Sequence, residues 1–548
     1  MKRYFMLLMV FALTACASIP SDSQLFVLDE VTSTPGVDPV RVIARPPSKS
    51  MNPQELVDGF MAAQASIADN YAVARLYLTD ELAQAWKPSS VHIVDSAGTQ
   101  FSSLSSTALR VNTQEAGVLD KTARLTWWDS PLTQSAVFTY VSTDEGLRLS
   151  RVPNETYLSA LDFTRTYVSA PLYFMSPNFE SLVPDVVWVP NLGAAVATRV
   201  AQLLLAGPDG ALKNAVETAI PAGARLSPTT VTVTSGEAAL NLDSTALQVT
   251  DAQRNAMVAQ IAWTLSSLSG INFVRVTVAN QAVSTEKFVF SRNDFSSLAA
   301  DQIPISRPLF SVEASRLVRG AEPEPDEVGP LDSAQVIAVS RTGAQTAFVT
   351  SGTAFVAPVT ATAARTKLLD NVIDLDFDSS NRLWLATADG RLWVRDGVRP
   401  VQRVLAVPAG QRVVAISNSP DGARIALVIE GPAGRSLRLF GVNTSGTSVA
   451  LSNPIRVEQS LTTFNDVSWL DSLQLVVVGQ RSVEEPSVFR VSLLTGQALP
   501  MGGPAEIAQV TATFGQPPAL LTSRGVLWIL TSNQWQSVRE ASAIAYAS

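Results

Sequence analysis

At 548 residues, with 46% hydrophobic and 16% charged side chains, the chain is too long for one ordinary core and too apolar for extended disorder, so several domains are expected. A formal net charge of −8 disfavours phosphate backbones, and no nucleic-acid partner is expected. One cysteine, Cys16, and one histidine, His92, allow no internal disulfide and remove most zinc, haem and iron–sulfur ligand sets, so no cofactor and no metal site is expected.

The chain opens MKRYFMLLMVFALTAC. Lys2 and Arg3 precede an uncharged apolar run from Phe5 to Leu13. A bilayer-spanning helix needs about 20 such residues, so this run reads as the core of a signal peptide over residues 1–15. Leu13, Thr14, Ala15 and Cys16 resemble the bacterial lipobox, whose cysteine takes a diacylglycerol before the chain is cut. The resemblance implies cleavage after Ala15. It makes Cys16 an S-diacylglycerol, N-palmitoyl cysteine inserted in membrane lipid on the extracytoplasmic face of the cell membrane. The alternative is an ordinary secretory signal cut at Ala15, with Cys16 an idle thiol. A free exposed thiol is a liability outside the cell. Residues 16–50 hold Pro20, Pro35, Pro39, Pro46 and Pro47 without helical period and read as an extended tether.

Residues 51–153 read as an α+β domain. In NPQELVDGFMAAQA, Leu56, Val57, Phe60 and Met61 recur at helical spacing behind an Asn52 N-cap and Pro53. YAVARLYL and DELAQAW continue as helices, with Thr79 or Asp80 as a cap. The period then becomes two: VHIVDS, ALRVNT, ARLTWWD, SAVFTYVS and LRLSRV are expected as separate strands. Helices followed by a curved antiparallel sheet resemble NTF2-like or cystatin-like domains, which often serve as scaffolds.

Residues 154–292 read as a second α+β domain, approximately β-α-β-β-α-β. LYFMSP and VVWVP are strands. AATRVAQLLLAGP is a helix with Val196, Val200, Leu203 and Leu204 on one face, stopped by Gly207-Pro208. TTVTVTSGEAALNLDS is a hairpin turning at Ser235-Gly236. A second helix carries Met257, Ile261 and Leu265, and NFVRVTVANQA and KFVFSR are expected as closing strands.

Residues 293–330 end in RGAEPEPDEVGP, where alternating proline and glutamate read as an acidic linker. Beyond it, over residues 331–548, a strand-turn-strand unit recurs from Val336, Val372, Val413, Asp466 and Val510. Spacings around 40 residues mark β-propeller blades, whose faces are buried only against neighbours. A sixth unit could be completed from RPLFSVEASRLVRG, so five or six blades are expected.

No pattern of nucleotide-binding, zinc-protease or serine-hydrolase type occurs, and no enzymatic activity is expected. His92 alternates with Val91 and Ile93 and is expected at a domain surface in a structural role. Asp374, Asp376 and Asp378 have Ser379 and Leu385 where a calcium loop of EF type wants glycine and glutamate, so the run reads as a strand with one wet face. Trp384, Trp393, Trp469, Trp528 and Trp535 could form carbohydrate platforms. Their recurrence at comparable blade positions favours packing between blades. Glu484-Glu485 sits in a turn-like stretch and carries no acid–base assignment.

LVPDVVWVP, QLLLAGP, TAIPAGARL, GEAALNLDS and QIAWTLSSL resemble the GerMN domain of spore-germination and envelope proteins. ALDFTRTYVSAPLYF is similar to the segment that joins this domain in the actinobacterial lipoprotein family LpqB. Lipobox, N-terminal domain, GerMN-like unit and C-terminal repeats stand here in that family's order. The resemblance implies an interaction protein that meets the ectodomain of a sensor histidine kinase of MtrB type, within the MtrAB system of envelope and division homeostasis. The alternatives are a lipoprotein that binds cell-wall glycan or peptidoglycan, and an envelope enzyme.

Overall fold

In this computed structural model the described residues are 44–547, except 300, 302–306, 323–324, 332–333, 408, 447, 458–459 and 483–484. Three helices begin the fold: α1 (Pro53–Ala63), α2 (Ala68–Arg75) and α3 (Asp80–Ala85). Asn52 caps α1 reciprocally, its side chain accepting from the Glu55 amide at 3.0 Å while the Glu55 carboxylate accepts from the Asn52 amide at 2.9 Å. Leu56, Val57 and Phe60 of α1 are fully buried against Val111, Phe138 and Leu149 of a five-stranded sheet. Its strands are β1 (Val91–Ser105), β2 (Ala108–Leu119), β3 (Leu125–Thr143), β4 (Gly146–Arg151) and β5 (Thr156–Ser159), in the order β4-β3-β2-β1-β5.

Two expectations are corrected here. ARLTWWD and SAVFTYVS are not separate strands: both lie in β3, which keeps its partner β2 by bulging between them. The sheet also does not end at 153. β5 pairs in parallel with β1, Val91 opposite Thr156, because the chain returns to cover that open edge.

Helix α4 (Ala160–Thr166) leads into the second domain, where β6 (Tyr167–Met175) and β7 (Leu182–Pro190) form an antiparallel pair. Helices α5 (Ala195–Ala206) and α6 (Asp251–Leu265) pack beside a sheet of β8 (Thr232–Thr234), β9 (Glu237–Leu242), β10 (Phe273–Val278) and β11 (Gln281–Ala282). β9 and β10 run parallel, joined through α6. Ser235 and Gly236, at φ 51° and 80°, make the tight turn read from the sequence. α6 is buried on most sides, so its polar groups need partners inside: Gln260 accepts from the Ala219 amide at 2.7 Å and donates to the Tyr173 carbonyl at 3.0 Å. KFVFSR is not a strand; Phe290 makes one bridge to Val274.

The remainder folds as six blades of four strands each, blade 4 carrying a fifth. The inner strands of blades 2 to 6 are Val336–Val339, Val372–Phe377, Arg412–Asn418, Thr463–Asp471 and Ile507–Thr511. Blade 1 combines Leu309–Glu313, Arg316–Arg319 and Asp326–Pro330 with an inner strand from the far end of the chain, Ala543–Tyr546. Each inner strand packs against the next, and Ala543–Tyr546 meets both its neighbours, so the ring closes. The acidic linker is therefore corrected: much of 309–330 is blade 1. Asp326–Pro330 is its outermost strand, where a proline costs no ladder bond on the free edge. Its acids pair with arginines of the next strand, Glu327 with Arg316 and Asp326 with Arg319.

Tryptophans fill the seams. Trp393 packs between blades 2 and 3, Trp384 between 3 and 4, Trp469 between 4 and 5, and Trp528 and Trp535 between 5 and 6. The closing strand gives a direct test. Ala543 is fully buried among Phe310, Val312 and Ile337. Ala543→Asp is expected to cost about 4 kcal/mol or more in urea unfolding followed by tryptophan fluorescence, while Gln536→Asp, on the exposed outer strand of blade 6, should change it by less than about 0.5 kcal/mol.

Candidate functional site

The bulge of β3 is where the three domains come together. Glu115 stands opposite Leu132 and Gly117 opposite Trp127, so residues 128–131 arch out of the ladder. A Cβ on Gly117 would lie 2.6 Å from the Trp127 ring, so only glycine lets that ring lie flat on β2. The arch reaches a fifth, short strand of blade 4, Ile455–Arg456. Arg456 donates to the carbonyls of Trp128 and Asp129 at 3.1 Å each, and the Asp129 carboxylate pairs with Arg438. A second joint lies between the first two domains. Trp188 of β7 donates its amide to the Ala123 carbonyl at 2.8 Å, and Arg124 Nε donates to Asp185 at 3.1 Å. Burial pushes the Asp185 carboxyl up, and the Arg124 charge opposes this. A third joint ties the second domain to the propeller: Asp301 accepts from the Ser472 amide and hydroxyl at 2.8 and 2.6 Å. Gly441 of blade 4 also sits so close to the Ala211 carbonyl that a Cβ would approach it to 2.2 Å.

Between these joints the domains line a half-open cavity of about 610 Å³, within the range of small-molecule sites. Its walls are mainly apolar and come from every domain: Trp127 of β3, Phe163 of α4, Val186 and Trp188 of β7, Phe440 of blade 4 and Leu493 of blade 5. Arg124, Arg424, Arg456 and Arg481 also face it, against the single carboxylate of Asp185. Sequence reasoning did not find this site, because its residues are scattered over some 375 positions and belong to no shared motif.

The other sequence candidates fall elsewhere. Asp374 and Asp376 line the central channel, but they do not form the expected wet strand face. Asp374 accepts from the Ile416 amide at 2.7 Å and Asp376 from the Asn418 amide at 2.8 Å, each bond crossing to the next blade. Asp466 does the same for Val510 at 2.7 Å. Asp378 lies apart, buried with Arg382 and the Trp384 indole N–H. Among the described residues no group of three or more His, Cys, Asp or Glu side chains is arranged for a metal. Desolvation raises Asp374 well above the usual carboxylate range, aided by the Asp466 charge, and pushes Asp466 up to about 7.

His92 is also corrected, from domain surface to partly buried, its side chain 16% exposed. Its Nδ1 meets the buried Glu115 carboxylate, whose other oxygen accepts from the Trp128 indole at 2.7 Å. Ser90 Oγ and Glu155 lie 3.2 and 3.4 Å from Nε2. The histidine thus holds the base of the bulge. Cys16 and Ala15 lie outside the described residues, as do most of the tether and Glu484. Among the described residues no helix is long and apolar enough to cross a membrane.

Two α+β domains wedged against a six-bladed ring define a modular propeller protein with an interdomain cavity. Residues 46–164 match the family described as "Lipoprotein LpqB, N-terminal domain", residues 171–284 "Sporulation and spore germination", and residues 315–546 "Lipoprotein LpqB beta-propeller domain". Relatives named Lipoprotein LpqB include that of Cutibacterium acnes, 25% identical with 85% of this chain and 84% of its own covered, and that of Streptomyces coelicolor, 26% identical with 98% and 96% covered. The Mycobacterium tuberculosis relative is 26% identical, with 64% of this chain and 62% of its own covered. The chain belongs to the LpqB family of lipoproteins.

The channel carboxylates generate a pH prediction. A carboxyl raised in the fold from 3.8 to about 7 favours the folded state while protonated, and that contribution drains away as pH rises from about 4 through about 7. Asp466→Asn does not titrate and also removes one repulsion on Asp374. Relative to the parent, its Tm should therefore climb by roughly 4 °C between about pH 4 and pH 8, read by calorimetry, and level off above that. A constant offset across this range would contradict the assignment.

Proposed function

We propose that the protein is a lipid-anchored, extracytoplasmic accessory protein of a two-component sensor kinase of MtrAB type, acting in envelope and division homeostasis. The observation that carries this reading is the family's three modules in their order, behind the LTAC sequence at residues 13–16. In it, the signal peptide ends at Ala15 and Cys16 carries the diacylglycerol and palmitoyl chains. Each buried CH₂ contributes about 0.8 kcal/mol, so two or three acyl chains hold the body at the membrane almost permanently. A propeller and two small α+β domains then present broad surfaces to an ectodomain at the same membrane. The propeller tryptophans pack between blades, so they do not add to the alternative reading of a glycan-binding lipoprotein.

Photo-crosslinking from exposed propeller positions in intact cells, followed by mass spectrometry, should recover the sensor-kinase ectodomain. Recovery no greater than with an unrelated lipoprotein would count decisively against the partner. Cys16→Ser should send the folded body to the medium or leave its signal uncut. Unchanged membrane fractionation with normal processing would overturn the anchor.

A further inference from the structure

The polar groups on the cavity wall are not all satisfied. Arg424 is 3% exposed; it pairs with Asp421 and donates to the Ser472 carbonyl, yet its Nε is buried without an acceptor. Arg481 donates through Nη2 to the Ala498 carbonyl at 3.0 Å, and its Nε is likewise buried without one. The other two arginines on the wall have carboxylate partners, Arg124 with Asp185 and Arg456 with Asp129. Arg481 meets no carboxylate among the described residues. Neither Nε is open to the cavity, but the four guanidinium groups on its wall face only the Asp185 carboxylate, so an anionic acceptor is favoured there. The rest of the lining is mostly aromatic and aliphatic, with Thr164, Ser460, Thr495 and Gln497 among it, which favours a hydrocarbon body over a sugar or a peptide backbone rich in polar groups.

We propose that the three-domain cavity binds an amphiphile: a long aliphatic chain lying against Trp127, Phe163, Trp188 and Phe440, with an anionic carboxylate or phosphate head accepting from the Arg481 guanidinium. The anion neutralises the Arg481 guanidinium, which lies over the Phe489 ring, and the chain excludes water from the apolar walls. This site depends on neither the lipid on Cys16 nor the kinase.

The test uses the full chain carrying Cys16→Ser, so that no acyl group of its own competes, and dansylaminoundecanoate as the fluorescent probe. Saturable binding is expected, displaced by oleate and not by oleyl alcohol. Thr164 is exposed and faces the cavity, so Thr164→Trp should narrow its mouth and weaken binding with the far-ultraviolet circular dichroism unchanged. Arg481→Met should weaken oleate by about tenfold or more. Displacement by oleate alone assigns a free fatty acid, and displacement also by phosphatidylglycerol vesicles assigns a membrane phospholipid. Displacement by neither overturns the proposal, as does oleate affinity unchanged by Arg481→Met or equal displacement by oleyl alcohol. A protein that fails to bind the probe yet crosslinks to the kinase refutes the cavity and leaves the kinase reading standing.

Discussion

The inner strand of a propeller blade has an edge that no strand of its own sheet covers, and its amide groups must be satisfied inside the ring. Here side chains of the preceding blade do it. Asp374 and Asp376 serve blade 4, Ser417 serves the Trp469 amide in blade 5, and Asp466 and Ser468 serve blade 6. Gln509 and Thr511 of blade 6 do the same for Ile544 and Tyr546 of the closing strand. Each acceptor lies two residues from its neighbour on the same strand because only alternate side chains point that way. Blade spacing, seam tryptophans and the need for a strand from the far end all follow from that ring.

The two α+β domains are fixed to the ring at its rim, by polar contacts at a few points. Arg456 and Arg438 grip the bulge of β3, Ser472 grips Asp301, and Gly441 lets the second domain approach. Rigid bodies joined this way need not match over their whole facing surfaces. The cavity is the mismatch, and the apolar side chains around it are those that a tighter fit would have buried. Arg124 and Asp185 brace one end, so the space keeps its shape without filling its centre.

Much of this architecture was readable because local periodicity carries it. The Asn52-Pro53 helix start, the Ser235-Gly236 turn and the repeat starts at Val336, Val372, Val413 and Val510 all rest on short-range patterns. The misses are long-range. ARLTWWD and SAVFTYVS read as separate strands, but β2 holds β3 on both sides of the break, and the residues between became a joint. PEPDEVGP reads as linker because its acids find arginines only after blade 1 has formed. Alternation told which way His92 points, but not that Glu115, Glu155 and Trp128 would cover that face. Asp374 and Asp376 look solvated in sequence because the amides that donate to them lie 42 residues onward.

The closing strand sets a timetable. Ser542 donates to the Val312 carbonyl across 230 residues, so blade 1 holds an open inner edge until nearly the whole propeller has been delivered. Contacts that far apart in the chain form slowly, and five blades must wait as an unclosed arc with adhesive edges. A chain threaded through a membrane from its first residue onward would reach the far side in that state. Its propeller would then be sealed by the passage of Ala543–Tyr546, a latch that closes only at the end of delivery.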